Sequence, residues 1–151
     1  MIKNSDLKLI SELRQNSRET LTNISKKLKI PISTLYDKMK QHQDIIITKY
    51  TTLLDFNKLG YTCRANIMIK TTREEREKLC NYLKAHQSVN NLFKINNGYD
   101  YLIEGIFTHI KDMEDFIEEL EEKFNLEQKQ TYHIINELKR EEFLGANTGE
   151  V

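Results

Sequence analysis

A chain of 151 residues makes one large domain or two small ones, and 38% hydrophobic against 30% charged residues, with a mean hydropathy of −0.63, leaves modest cores. Its longest apolar runs, such as Ile45-Ile46-Ile47, fall far short of the ~20 residues that a membrane span needs. A formal charge of zero hides a split, because residues 1–50 carry ten Lys/Arg against five Asp/Glu while the remainder carries 13 against 18. A basic module joined to an acidic one points to a polyanion reader tied to a part that must not bind the polyanion. Residues 1–6 lack the apolar stretch of a secretory signal, and Cys63 and Cys80 form neither a disulfide framework nor a zinc pattern. The expectation is a cytoplasmic protein with no membrane contact, no metal site and no cofactor.

Asp6 suits the cap of a first helix with Leu7, Ile10 and Leu13 on one face. Thr20 suits the cap of a second, whose inner residues are Leu21, Ile24 and Leu28. The turn Lys29-Ile30-Pro31 follows, and a third helix runs from Ile32 or Ser33 to Gln41, with Leu35 and Met39 spaced for burial. A short helix, a tight turn and a further helix make a helix-turn-helix, whose last helix enters the major groove. The residues assigned to its outward face are Ser33, Thr34, Tyr36, Asp37, Lys38, Lys40 and Gln41. Lys38 and Lys40 would neutralise phosphates, while Ser33, Thr34 and Tyr36 would donate to base edges or phosphates. Arg18, Lys26 and Lys27 are second-tier phosphate contacts. Three helices that bind a protein through a solvated face are the competing reading. Residues 45–54, rich in β-branched side chains, read as a strand, which makes the reader a winged helix-turn-helix over 1–50 with an extended linker strand over 51–60.

The acidic half opens on Tyr61, Cys63, Ala65, Ile67 and Ile69 in alternation, a strand. Thr72 would cap a helix over 73–86, and strands over 89–95 and 101–107 flank the turn Asn96-Asn97-Gly98. A helix over 111–124 buries Met113, Phe116, Ile117 and Leu120, and a last strand covers 128–138. The order βαββαβ over 61–138 is ferredoxin-like, so the chain is α+β, with a tail over 139–151. Two helices cover one face of a four-stranded sheet, yet these strands carry apolar residues at both parities. Met68, Leu102, Ile106 and Ile135 would therefore bury against a second copy, and a homodimer presents two third helices to half-sites ~34 Å apart.

The combination resembles the Lrp/AsnC family of transcriptional regulators. The residues that carry the likeness are Asp6-Leu7-Lys8-Leu9-Ile10, Arg18, Ser33-Thr34-Leu35-Tyr36-Asp37-Lys38-Met39-Lys40, Tyr50-Thr51, Lys58-Leu59-Gly60 and Asn97-Gly98-Tyr99-Asp100-Tyr101-Leu102-Ile103. The resemblance implies a homodimer, often assembled into octamers, that binds and bends double-stranded DNA. It also implies that some relatives bind an amino acid where dimers meet, near the middle turn, which makes Asn97, Gly98, Tyr99 and Asp100 the effector candidates, with a well-made β-turn that holds no ligand as the competing reading. The chain departs from the family pattern in carrying Lys29 where glycine is usual and Lys38 where arginine is usual. Asn97 stands where relatives often place glycine, and asparagine tolerates positive φ.

Two other function classes stand beside the regulator. One is a protein-binding regulator without DNA contact. The other is an enzyme like the siroheme decarboxylases, which share this layout and use histidine-rich sequences. Here His42, His86, His109 and His133 are dispersed, and no phosphate-binding loop or hydrolase motif occurs, so no catalytic residue is assigned.

Overall fold

Leu9, Ile24 and Leu35 come from three different helices and are almost wholly shielded from solvent, with Leu13, Leu21, Leu28, Ile30 and Met39 packed around them. The structure, a computed structural model, describes residues 1–145. Among these, the core just named belongs to one unit, made of Met1–Leu53 together with residues 138–145, and Leu54–Glu137 form a second.

In the first unit α1 is Asn4–Gln15, α2 Leu21–Leu28 and α3 Ile32–His42. Asp6 sits inside the first turn of α1, where its carboxylate accepts the Lys3 N–H at 3.1 Å. Leu9 rather than Leu7 fills the core. Thr20 caps α2 as its position predicts, its Oγ1 accepting the Asn23 N–H at 3.2 Å. The turn between α2 and α3 is closed by Lys29 in the left-handed conformation (φ 55°) and by the Ser25 hydroxyl, which donates to the Ile30 carbonyl at 2.6 Å. Pro31 precedes the first residue of α3.

Among the described residues the expected wing and linker strand do not form. The one β contact of this unit among the described residues is the bridge Gln43–Ile47, and residues 48–55 carry no strand. β-Branched residues favour an extended backbone, but a ladder also needs a partner strand alongside. Residues 56–60 turn, with Gly60 at φ 91° and the Tyr61 N–H returning to the Phe56 carbonyl at 2.9 Å. Of the tail, residues 138–145 belong with the helices, and 146–151 lie outside the described residues.

The second unit is β1 (Cys63–Thr71), α4 (Arg76–Ala85, preceded by a 3₁₀ turn at Arg73–Glu75), β2 (Val89–Lys94), β3 (Tyr101–Phe107), α5 (Ile110–Lys123) and β4 (Leu126–His133). The sheet is antiparallel in the order β2-β3-β1-β4. Thr72 makes no side-chain cap, because the 3₁₀ turn intervenes before α4. β4 ends five residues before the expected Leu138, and the Ile134 N–H beyond it still reaches the Arg64 carbonyl at 2.8 Å.

Alternation on β1 and β3 decides what lies on each face. Cys63, Ala65, Ile67, Ile69, Tyr101, Ile103 and Phe107 are buried against Leu79, Leu83, Met113, Phe116, Ile117 and Leu120 of the two helices. Gly105 makes room in the middle of β3, since a Cβ there would run into the Phe107 ring. No helix among the described residues is long and apolar enough to cross a membrane.

Candidate nucleic-acid interface

A helix repeats a face every three to four residues. On α3 the inner face runs Leu35, Lys38, Met39, His42, and all four are buried or half-buried. The outer face is Ser33, Thr34, Tyr36, Asp37, Lys40 and Gln41, all exposed. The Lys40 ammonium lies 4.8 Å from the centre of the Tyr36 ring, a cation–π contact that holds the charge over a flat aromatic surface. Serine and threonine hydroxyls, a phenol, an amide and an ammonium on one face form a donor surface suited to phosphates and base edges.

Lys38 corrects the expectation. It lies three residues after Leu35, so it turns inward, and its Nζ meets the Asp6 carboxylate of α1 at 2.5 Å with its side chain 15% exposed. This ammonium therefore does not belong to the outward set. The Lys38 bond holds the Asp6 carboxyl below its ordinary value of 3.8, against the opposing effect of its burial. Asp37 forms no ion pair with Lys38 or Lys40 among those the described residues show.

Around α3, Arg18 and Lys26 are exposed before and on α2. Lys27 remains largely exposed while pairing with Glu12 at 2.7 Å, and that bond raises its pKa.

The turn proposed for an effector is well formed. Asn97 (φ 64°) and Gly98 (φ 90°) supply its two left-handed positions. Tyr99 donates to Gln130 at 3.2 Å. Asp100 accepts the Thr71 N–H at 2.9 Å and pairs with Arg76 Nε at 3.1 Å, so both its oxygens are engaged. Asp100 lines a cleft of about 390 Å³ shared with Arg76, Cys80, Lys84, Lys94 and Tyr101. A larger open cleft of about 670 Å³ lies between residues 54–61, the start of β2 and α5, with His86 on its wall.

On the face of the sheet that the helices leave bare, β1 and β3 place Met68 opposite Leu102 and Arg64 opposite Ile106. Phe93 and Tyr132 extend this surface, each about half exposed. Arg64 binds Glu104 at 3.1 Å and also Glu137. Ile135 is 97% exposed beyond the end of β4 and lies outside the ladder that carries the other three apolar candidates. The Asp6–Lys38–His42 group was missed by sequence reasoning, although the spacing of Leu35, Lys38 and His42 carried the signal.

Residues 64–143 match the Lrp/AsnC ligand binding domain family, which is more than half of the chain. An HTH-type transcriptional regulator of Pyrococcus furiosus is 27% identical over 139 residues, covering 91% of this chain and 93% of that protein. LrpC of Bacillus subtilis, an HTH-type transcriptional regulator, is 26% identical over 74% of this chain and 78% of its own. Among solved structures, LrpC superposes with a TM-score of 0.84 at 21% identity over 92% of this chain and 98% of that one. A transcriptional regulator of Neisseria meningitidis, solved as a complex with L-methionine, superposes with a TM-score of 0.85 at 21% identity over 93% and 94%.

Proposed function

The chain belongs to the Lrp/AsnC family, and on that premise we propose that it is a transcriptional regulator that grips duplex DNA with the outer face of α3. The observation that carries the reading is the segregation on that helix: apolar and ion-paired residues inward, and Ser33, Thr34, Tyr36, Lys40 and Gln41 outward. Lys40, with Arg18, Lys26 and Lys27, supplies phosphate contacts, while Ser33, Thr34 and Tyr36 read base edges. Asp37 would face a cytosine amino group. The second unit pairs two copies through Met68, Leu102 and Ile106, so that two α3 helices bind as one.

The same reading extends to regulation. The family name includes a ligand-binding domain, and a relative from Neisseria was solved with L-methionine. An amino acid carries one ammonium and one carboxylate. The cleft beside Asp100 offers Arg76, Lys84 and Lys94 to the carboxylate and Asp100 with Glu77 to the ammonium.

Binding of host genomic fragments across a salt series tests the DNA reading. The affinity must fall steeply with ionic strength, and Lys40→Ala must weaken every fragment, whereas Tyr36→Ala must relax preference at particular positions. Absence of any salt-sensitive complex removes it. For the effector, the right amino acid has to change both DNA affinity and assembly state, because coupling between sites is reciprocal. Identical binding and sedimentation with all twenty would end that part.

A further inference from the structure

We infer that Lys38 and His42 are positioning residues for DNA reading: from the inner face of α3 they grip Asp6 at the start of α1 and fix the rotation of the helix about its own axis. The inference rests on the DNA reading above. Asp6 is 5% exposed and collects two donors, the Lys3 N–H at 3.1 Å and Lys38 Nζ at 2.5 Å, while His42 Nε2 stands 3.6 Å away, beyond hydrogen-bond distance. Nε2 of His42 is buried and has no hydrogen-bond partner among the described residues, so the Asp6 carboxylate is the group it is aimed at. Lys38 and His42 lie one turn apart, and their side chains are 15% and 7% exposed. Both ends of the grip are thus inside the unit.

Apolar contact alone would not hold α3 to one rotation. Leu35 and Met39 pack through forces without direction, and a helix can roll on such a contact at small cost. A buried ion pair has one good geometry, and a roll that separates it leaves two charges unpaired in a low-dielectric interior. A roll of about 20° would move an outer side-chain tip by roughly 2 Å, enough to break a hydrogen bond to a base edge. Lys40, on the opposite face, would tolerate the same roll because an ammonium finds a phosphate over a range of positions. The grip therefore sets sequence preference, while Lys40 sets general affinity.

The test uses the full chain, a genomic duplex selected by the wild type and a scrambled duplex, each titrated by fluorescence anisotropy over a salt series. Lys40→Ala should flatten the slope of log affinity against log salt by about 0.9 on both duplexes and keep the preference. Lys38→Met should keep that slope while the selected-to-scrambled ratio falls at least about tenfold, the size of one lost base contact. Asp6→Asn should behave like Lys38→Met, His42→Leu should lower the ratio in the same direction, and Lys38→Arg should restore it. Circular dichroism at the assay temperature gives the folded fraction of each variant. If Lys38→Met does not fold, Asp6→Asn and Lys38→Arg carry the same comparison. A Lys38→Met chain with the flattened slope and an intact ratio would overturn the inference, since Lys38 would then be a phosphate contact. Equal losses on both duplexes in proportion to unfolded chain would also overturn it. A wild type with no salt-sensitive complex overturns the DNA reading itself, and the inference with it.

Discussion

Arg14 and Glu141 are bonded twice across 127 positions of sequence: the Arg14 Nη2 donates to the Glu141 carbonyl at 2.9 Å, and Nη1 meets its carboxylate at 3.3 Å. Arg14 Nε adds the Phe143 carbonyl at 3.0 Å. Three donors of one guanidinium thus clasp the C-terminal segment onto α1, so residues 138–145 are part of the DNA-reading unit rather than a loose end. Arg14→Ala should lower the urea-unfolding stability of that unit by about 1 kcal/mol, the range for charge-assisted bonds at a partly exposed site. A chain ending at Glu137 should lose a similar amount. Unchanged midpoints for both variants would leave the clasp without consequence.

The turn of the helix-turn-helix holds Lys29 at φ 55° and ψ 43°. A residue with a Cβ in this left-handed region costs roughly 1–2 kcal/mol, and glycine does not bear that cost. Lys29→Gly should therefore raise stability by about 1 kcal/mol, once the greater freedom of glycine in the unfolded chain is offset. Denaturant unfolding measures it, and a loss of stability would mean that the Lys29 side chain contributes contacts that outweigh the backbone strain.

How much of this was legible follows from which signals are local. Thr20 and Pro31 announce helix starts by chemistry that needs no neighbours, and both stand where expected. The βαββαβ order is written in the alternation of β1 and β3 and in the stripe Met113, Phe116, Ile117, Leu120. At Lys38 the charge points to solvent and the spacing points inward, and the spacing decides. Three residues after buried Leu35 is an inward position, and the Asp6 that neutralises it is 32 residues away. Residues 45–54 have strand composition but, beyond the Ile47 bridge, no strand among the described residues, since pairing is a property of two segments and a local pattern reports only one of them. The bond from Arg14 to the C-terminal segment has no sequence signature, because an arginine near a helix end reads as solvated.

His86 gives a dependence on pH. Its ring packs 4.8 Å from that of Phe116, its Nδ1 accepts the Ser88 N–H at 3.1 Å, and burial holds its pKa below the ordinary 6.5. The native state then binds fewer protons than the unfolded chain as pH falls below about 6.5, so stability must fall with pH there. The loss stops growing once pH is below the native value, where both states carry the proton. The difference between wild-type and His86→Phe midpoints, followed from pH 8 to pH 4, should show this step. Parallel curves would mean that the imidazole is as well solvated in the fold as outside it.

The bare sheet face makes the last prediction. Met68 and Leu102 face each other across β1 and β3, and Phe93 and Tyr132 widen the apolar area on either side. Arg64 is already paired with Glu104 and Glu137, so closing a second copy over it buries an ion-paired guanidinium with one carboxylate charge in excess rather than a bare cation. Leu102→Lys places an unpaired ammonium at the centre of that contact and should weaken association by at least tenfold, about 1.4 kcal/mol. Because the side chain points away from α4 and α5, thermal stability of the single protomer should change little. Sedimentation would then find the wild type paired and Leu102→Lys shifted to single chains. DNA affinity should fall further than association does, since each reader loses the other's help in staying bound. A wild type that sediments as one chain at micromolar concentration, or a Leu102→Lys chain that pairs undiminished, would place the contact between copies elsewhere.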